Sequence, residues 1–189
     1  MNNRDLINFM TMIEKLKCQT RHSWTSSGRQ ESVAEHSWRV AVMALIVAEN
    51  FPRIDLTKLL KMCLLHDLGE AVTGDIPVFE KTEQNQVTEK EAIKFILSSL
   101  PDKMARDFQD LFDEMEEMTT EEAQLMKALD KLEVLLSHNE ALIETWIPKE
   151  YSLNLVHGDQ YVEYSDYLSG LREEIRQDTI QKLKSANKI

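Results

Sequence analysis

The sequence contains few of the residues that interrupt regular structure. Its 189 residues include only 5 glycines and 4 prolines. Because these two residues form most turns, their scarcity predicts long helices and few hairpins. The 2 cysteines, Cys18 and Cys63, have neither zinc-finger nor disulfide-framework spacing. Such cysteine use is typical of core residues in a reducing compartment, so we expect a helical, cytoplasmic protein.

The sequence also lacks a long apolar run and an excess of basic residues. The longest run, Val40–Ala48, is too short to span a bilayer, and the polar start of the chain does not resemble a signal peptide. The formal net charge is -11, which disfavours binding to a nucleic-acid backbone. This charge is compatible with one small phosphorylated substrate held at a metal ion. We therefore expect neither a membrane nor a nucleic-acid partner.

Apolar residues recur at helical spacing along most of the chain. Capping-box patterns, in which Ser or Thr precedes Glu by three residues, predict helix starts after Ser32, Thr88 and Thr119. The predicted helices cover about residues 4–18, 33–47, 56–72, 89–100, 101–115, 120–142 and 160–183. The helix at 33–47 is apolar nearly all round, so we expect it to be buried in the core.

The segments between these helices are predicted to be irregular. They include a polar loop at 20–31 and a stretch at 146–159. A chain of this length fits one domain with a sizeable core. The predicted fold class is all-α, a single helical bundle covering residues 1–189, with the sequence motifs in about 20–142 and a C-terminal helical segment at about 159–185.

A histidine and three acidic residues lie close together in the segment Leu64–Pro77. On a helical wheel at about 100° per residue, His66, Asp67 and Glu70 share one face. Helix faces exposed to solvent favour Lys, Glu and Gln, whereas a His-Asp pair is typical of metal ligation. This face is therefore either ordinary solvated surface or part of a metal site.

Two further candidates lie on other predicted helices. His36 is near the start of the most apolar helix, and Asp130 falls on an apolar face of the long helix. A buried carboxylate needs a partner, which is either a basic residue such as Arg39 or Lys127 or a metal cation. Together with the His-Asp pair, these residues offer four nitrogen and oxygen ligands. Such a set suits one divalent ion: Mn²⁺, Co²⁺, Fe²⁺, Zn²⁺ or Mg²⁺.

His36, the pair His66-Asp67 and Asp130 match the motif of the HD-domain metal-dependent phosphohydrolases. The stretches around them resemble the 5′-deoxynucleotidase-like subgroup of that family; they are Glu31–Ala41, Leu64–Pro77 and Ala128–Glu133. The resemblance spans roughly residues 4–142. It implies a helical fold in which these four residues bind one divalent metal ion, an activity on phosphate esters, and assembly as a homodimer.

The resemblance also implies roles beyond metal binding. In the subgroup, the glutamate that corresponds to Glu70 sits beside the metal-bound water and is implicated in proton transfer, so Glu70 and the metal ligand Asp67 are expected to be catalytic. A Gly-Asp-x-Pro segment holds the sugar and phosphate, and an upstream arginine and tryptophan shape the pocket against the 2′-hydroxyl. The implied substrate-binding residues are Arg21, Trp24, Asp75, Ile76, Pro77 and Val78. Two residues separate this arginine from the tryptophan, whereas the bacterial enzymes have them adjacent.

The function implied by the resemblance is metal-dependent release of phosphate from nucleoside 5′-monophosphates, above all deoxynucleoside ones. One alternative is a phosphohydrolase acting on another nucleotide, such as a dNTP, a cyclic nucleotide or guanosine tetraphosphate. Longer phosphate chains need more cations around the metal, and the motif region offers few beyond Arg21, Arg29 and Lys81. The other alternative is a non-catalytic helical domain that senses a metal or a ligand.

Overall fold

The structure is a computed structural model that describes residues 1–77 and 82–189. Its α-helices are α1 (Asn3–Ile13), α2 (Val33–Val47), α3 (Leu56–Leu65), α4 (Glu70–Thr73), α5 (Glu83–Leu97), α6 (Asp102–Glu117), α7 (Glu121–Glu140), α8 (Pro148–Leu153) and α9 (Asp166–Ser185). An antiparallel hairpin consists of β1 (Thr20–Trp24) and β2 (Gln30–Ser32). The predicted helical fold class is confirmed. Among the described residues, no helix combines the length and the apolar character needed to cross a membrane.

Helix α7 lies at the centre of the packed helices. It contacts α2, α3, α6 and α9 as well as strand β1. Its leucines Leu125, Leu129, Leu132 and Leu135 are fully buried. Burying a leucine side chain stabilises the folded state by about 1.5–3 kcal/mol, so α7 is held firmly in the core. Because α7 also carries Asp130, the core fixes the position of a predicted metal ligand.

The prediction that the helix at 33–47 is buried all round is wrong on one side. Helix α2 packs against α3 and α7, yet Trp38, Leu45 and Ile46 are 63%, 48% and 66% exposed. Residues seven and eight positions apart lie on the same helix face. Composition could not distinguish this face from core, because an apolar stripe fits both a protein interior and a surface that meets a partner.

The predicted polar loop at 20–31 is the β1–β2 hairpin. The strands pair from Thr20 and Ser32 onwards, with an irregular register. Gly28, in the turn between them, has a φ of +82°, in the left-handed region that favours glycine. The hairpin continues directly into α2, and β1 contacts α7. These tertiary contacts, and not an alternating apolar pattern, stabilise the strands.

The single helix predicted at 56–72 is two helices. Helix α3 ends at Leu65 and α4 begins at Glu70, with a turn at 66–69 between them. Backbone hydrogen bonds in this turn join residues three apart, as in a 3₁₀ turn. Gly69 lets α5 approach closely, because a Cβ at this position would lie 3.1 Å from side-chain atoms of α5. Hydrophobic periodicity does not detect such a turn, because the apolar pattern continues through it.

Two predicted helix starts differ from the observed ones. Helix α5 is capped by Thr82 and not by Thr88, because a Thr-x-x-Asn pattern six residues earlier makes the same reciprocal hydrogen bonds. Helix α7 is capped by Thr120 and not by Thr119. The predicted capping box that begins at Ser32 is confirmed at the start of α2.

The C-terminal part is held together by a buried arginine. Helix α8 lies within the predicted irregular stretch 146–159, and α9 begins six residues later than predicted. Arg172 of α9 is buried and donates hydrogen bonds to the carbonyls of His157 and Asn154, each at 3.1 Å. It also forms an ion pair of 2.9 Å with Asp159. These contacts fix the segment that follows α8 against α9.

Replacement of Thr120 by alanine tests the observed start of α7. The Thr120 hydroxyl accepts a hydrogen bond from the Ala123 N–H at 3.3 Å and donates one to Glu114. We expect Thr120→Ala to lower the free energy of unfolding by about 0.5–2 kcal/mol, measured by urea denaturation followed by circular dichroism. Thr119→Ala is the matched control and should change it by less than about 0.5 kcal/mol. The opposite order would assign the cap to Thr119.

Candidate metal centre

Three elements bring the four predicted ligands together. His36 comes from α2, His66 and Asp67 from the turn at 66–69, and Asp130 from α7. The Nε2 atom of His36 lies 3.3 Å from Asp130 Oδ1, and the Nε2 atom of His66 lies 3.2 Å from Asp67 Oδ2. The two imidazole rings are 5.3 Å apart between centroids. The two imidazoles and the two carboxylates therefore face one common point.

The chemistry of this cluster fits a divalent cation. Among the described residues, the buried Nε2 atoms of His36 and His66 have no hydrogen-bond partner. Buried polar atoms are normally hydrogen-bonded, so two orphaned nitrogens in one place need an explanation. Ligand atoms of His36, His66 and Asp67 lie within 4.8 Å of one another, and Asp130 completes the set. A cation would satisfy both nitrogens and neutralise the two buried carboxylates.

Each ligand except Asp67 has an outer partner that leaves its inner atom free. The Nδ1 atom of His36 lies 2.5 Å from Glu133 Oε2, and that of His66 lies 2.9 Å from the Cys63 carbonyl. Because a carbonyl only accepts, His66 carries its hydrogen on Nδ1 and directs the Nε2 lone pair inwards. Asp130 Oδ2 pairs with Lys131 Nζ at 3.0 Å, while Oδ1 faces the histidines. Such outer partners orient metal ligands.

The electrostatics of the cluster keep its carboxylates charged. Burial alone would raise the pKa of Asp67, but the charges of His66 and Arg21 hold this pKa well below its usual range. The pKa of Asp130 is likewise lowered despite burial, mainly by the charge of Lys131 and by the nearby imidazole of His36. Burial opposes the charged form of His36, yet its close contacts with the carboxylates of Asp130 and Glu133 raise its pKa to about 9. Protons therefore compete with a metal ion for these atoms.

Glu70 is a buried carboxyl group beside the cluster. It lies in the first turn of α4, three residues after Asp67. Burial, together with the negative charges of Asp67 and Asp75, raises the pKa of Glu70 to about 10. Its Oε2 atom has no hydrogen-bond partner among the described residues. In the metal-free cluster, these effects favour the protonated form of Glu70, which can donate a proton.

The cluster opens into a cavity of about 1240 Å³, larger than a phosphate group needs. Of the predicted substrate-binding residues, Arg21, Asp75, Ile76 and Pro77 line this cavity, as does Glu70. Arg21 approaches the cluster directly, with NH1 3.2 Å from Asp67 Oδ2. Asp75 accepts a hydrogen bond of 3.3 Å from a backbone N–H of β1. The hairpin and the segment after α4 thus form one wall together.

Not every predicted residue reaches this wall. Trp24 ends β1 opposite Gln30, at the hairpin turn, and is not among the described residues that line the cavity. Its predicted place in the pocket is therefore not supported, because the two residues between it and the arginine carry it towards the turn. Val78 and Lys81 lie outside the described residues. Arg29 pairs with a glutamate at the surface, away from the cavity.

The cavity wall includes Lys127, which the sequence predicted as a partner of Asp130, and Lys131, which it did not. Lys127 and Lys131 flank Asp130, with Nζ atoms 3.7 Å and 3.0 Å from its Oδ2 atom. Of the two basic partners proposed for this carboxylate, Lys127 is correct and Arg39 is not: its guanidinium pairs with glutamates of α7 instead. The dipeptide Asp130-Lys131 is a local pattern that could have indicated Lys131 as a partner of Asp130.

The end of α7 and the segment after it form the far wall. His138 of α7 lines the cavity together with Glu150, Asn154 and His157 of the C-terminal segment. Glu150 of α8 lies 3.0 Å from a histidine nitrogen of β1 and 3.6 Å from His138 Nε2, which joins three parts of the chain. No local pattern in the sequence indicates this wall, because it is assembled only when α8 and the following segment pack against α7 and β1.

The helical fold, with two histidines and two aspartates at the end of a cavity, places this chain among the small helical proteins that have a site for a divalent metal ion. The family model described as "HD domain" matches residues 13–172. The chain therefore belongs to the HD-domain family.

Similar proteins come from distant organisms. The chain is 31% identical over 141 residues to "5′-deoxynucleotidase HDDC2" of Homo sapiens, which covers 72% of this chain and 68% of the relative. It is 35% identical over 140 residues to the protein of the same name from Dictyostelium discoideum, covering 69% and 74%. A solved structure from Magnetospirillum magnetotacticum, titled as a predicted metal-dependent phosphohydrolase, has a TM-score of 0.81 at 27% identity, covering 95% and 93%.

The pH dependence of stability tests the environment of His157. Burial and the charge of Lys131 lower the pKa of His157 to about 4. The unfolded chain binds this proton at about pH 6.5, so the neutral side chain stabilises the fold fully above pH 6.5, and this contribution is lost as the pH falls towards 4. We expect His157→Gln to lose less stability than wild type between pH 7 and pH 4.5, measured by thermal unfolding. Equal losses would contradict this environment.

Proposed function

We propose that this protein is a metal-dependent phosphohydrolase that releases phosphate from nucleoside 5′-monophosphates, with preference for deoxynucleoside ones. The observation that carries the proposal is the pair of orphaned imidazole nitrogens, on His36 and His66, facing two carboxylates at the end of the cavity. The names of the human and Dictyostelium relatives support the substrate class. The cavity has room for a nucleoside beyond the phosphate.

The proposed metal ligands are His36, His66, Asp67 and Asp130. They would hold one divalent ion, for which Mn²⁺, Co²⁺, Fe²⁺, Zn²⁺ and Mg²⁺ are the candidates because all accept nitrogen and oxygen ligands. A bound divalent ion supplies Lewis acidity towards the phosphate and lowers the pKa of a water molecule. Two neutral imidazoles and two carboxylates balance its charge.

Glu70 is the proposed proton donor. Its carboxyl group is buried beside the ligand turn, where it can give its proton to the 5′-oxygen as a water molecule forms a new bond to phosphorus and the bond to the 5′-oxygen breaks. The proton that the water loses then returns to the Glu70 carboxylate. Protonation of the 5′-oxygen avoids a free alkoxide, and general acid catalysis of this kind accelerates reactions by about 10²–10⁴-fold. Asp67 takes part through the metal and through its ion pair with Arg21.

Cationic residues of this chain balance the charge of the phosphate. Arg21, Lys127 and Lys131 line the cavity beside the proposed metal ligands, and a divalent ion would add two positive charges to theirs. These cations lie where the phosphate dianion is proposed to bind. Donors already in place stabilise the charge that develops in the transition state. The two lysines also weaken the argument against longer phosphate chains, so triphosphates belong in any substrate test.

The proposed nucleoside contacts come from both sides of the cavity. Asp75, Ile76 and Pro77 would hold the sugar, and we keep Val78, which follows them in the chain, as a predicted contact. Arg21 and the C-terminal wall, rather than Trp24, are then the candidates for discriminating against the 2′-hydroxyl. Because residues 146–159 complete the cavity, we propose that the whole chain acts as one catalytic domain. We also propose that it acts in the cytoplasm, where its cysteines stay reduced.

We further propose that the protein forms a homodimer through the exposed apolar face of α2. Trp38, Leu45 and Ile46 form this face.

We expect Ile46→Ser to weaken dimerisation at least tenfold, because burial of an isoleucine side chain contributes about 1.5–3 kcal/mol. Sedimentation velocity over a concentration series measures the effect. Phe95→Ser, which removes an equally exposed apolar residue from α5, should leave the equilibrium unchanged. A wild-type protein that stays monomeric throughout contradicts the proposal.

The proposed activity is tested by phosphate release from a substrate panel. Protein stripped of metal is resupplied with each candidate ion and given deoxy- and ribonucleoside 5′-monophosphates and dNTPs. We expect metal-dependent release of inorganic phosphate from the deoxynucleoside monophosphates, and slower release from the ribonucleotides. Equal rates on both sugars would remove the proposed selectivity, and release of pyrophosphate or triphosphate from dNTPs would change the substrate class.

Two variants connect the activity with the site. Asp67→Ala should abolish both metal binding and phosphate release. Glu70→Gln should keep metal binding and lower kcat by about 10²–10⁴-fold, because the amide cannot donate a proton to the leaving oxygen as an acid does. If Glu70→Gln retained full kcat, another group would have to be the acid. If no ion supported any release, the proposed enzyme class would be wrong.

A further inference from the structure

We propose that Glu133 is a positioning residue that sets the metal affinity of the site through His36. The inference rests on the proposed metal site and names a residue outside its ligand set. Glu133 lies on α7, one turn after Asp130, and its side chain is fully buried. It does not line the cavity among the described residues, so a role in direct substrate contact is not available to it.

Helix α7 contacts both nitrogens of the His36 ring. Asp130 Oδ1 lies 3.3 Å from Nε2, and Glu133 Oε2 lies 2.5 Å from Nδ1. The ring itself is fully buried. The hydrogen bond from Nδ1 to Glu133 on a rigid helix fixes the orientation of the imidazole, and a ring held at Nδ1 cannot rotate Nε2 away from the cluster. Because a carboxylate only accepts, it also selects the tautomer with hydrogen on Nδ1 and a lone pair on Nε2.

The second carboxylate oxygen of Glu133, Oε1, also has polar partners. The Ser137 hydroxyl donates a hydrogen bond of 2.8 Å to Oε1, and Arg39 NH1 lies 3.7 Å from the same atom. Arg39 is in turn paired with Glu140 at the surface, at 2.6 Å. A buried carboxylate is costly unless such partners compensate it. An apolar residue would fill the same space without this network, which argues for a role beyond packing.

The two histidines have different outer partners. His66 donates from Nδ1 to the neutral Cys63 carbonyl at 2.9 Å, whereas His36 faces a carboxylate. A negatively charged acceptor makes the imidazole a more basic ligand than a neutral acceptor does. His36 is therefore the stronger nitrogen donor, and the charge of Glu133 contributes to metal affinity without contact between Glu133 and the metal.

The test measures metal affinity directly. Glu133→Gln keeps the size and a hydrogen-bond acceptor but removes the charge. We expect it to raise the dissociation constants for Zn²⁺ and Co²⁺ by about 10–100-fold, measured by competition with a chromophoric chelator. The visible absorption of bound Co²⁺ should change as the His36 donor weakens. Glu140→Gln, on the same helix and paired with the same arginine, should keep both dissociation constants within twofold.

The outcomes separate this inference from the proposed function. If wild type and Glu133→Gln bind metal equally well, Glu133 is only structural and the inference is overturned, while the metal site stands. If wild type binds none of the ions, both are overturned. If Glu133→Gln fails to fold, ¹⁵N-resolved histidine NMR of the metal-loaded wild type decides: the inference requires His36 to carry its hydrogen on Nδ1. Hydrogen on Nε2 would overturn it.

Discussion

The burial of two imidazoles and two carboxylates at one point is the constraint on which the rest of the structure depends. None of these groups can be buried there alone, because an uncompensated polar or charged atom in the interior destabilises the fold. The chain therefore provides an outer partner for three of them: Glu133 for His36, a carbonyl for His66, and Lys131 for Asp130. What remains unsatisfied is the inner side of the cluster, and this is where a cation fits.

Helix α7 meets this constraint because one of its faces packs into the core while another carries residues of the site. Its leucines pack into the core, which fixes its position. Asp130 and Lys131 face the cavity, and Glu133, three residues after the aspartate, reaches behind the His36 ring. A helix that is fixed by its core packing holds these groups at defined positions, as metal ligation needs. Stability and site geometry therefore come from the same packing.

The sequence was sufficient for features that rest on local patterns. The helical class, the cap at Ser32 and the residues of the cluster all follow from spacing and residue type, or from the motif they form. The errors have tertiary causes: a turn that α5 approaches closely at Gly69 interrupts one predicted helix, and packing against α7 stabilises a hairpin with no strand-like pattern. The wall formed by residues 146–159 could not be predicted, because it exists only after the C-terminal segment docks on the core.

An acidic protein can hold a dianionic substrate because local charge, and not net charge, determines the potential in a cavity. Although the formal net charge is -11, the cations Arg21, Lys127 and Lys131 are all gathered on the cavity wall. Many of the acidic residues lie at the surface, where solvent and salt screen their charges. A divalent ion would add two positive charges at the point where these cations meet the cluster. A phosphate group that reaches this end of the cavity is then attracted, while extended polyanions such as nucleic acids are repelled by the surrounding acidic surface.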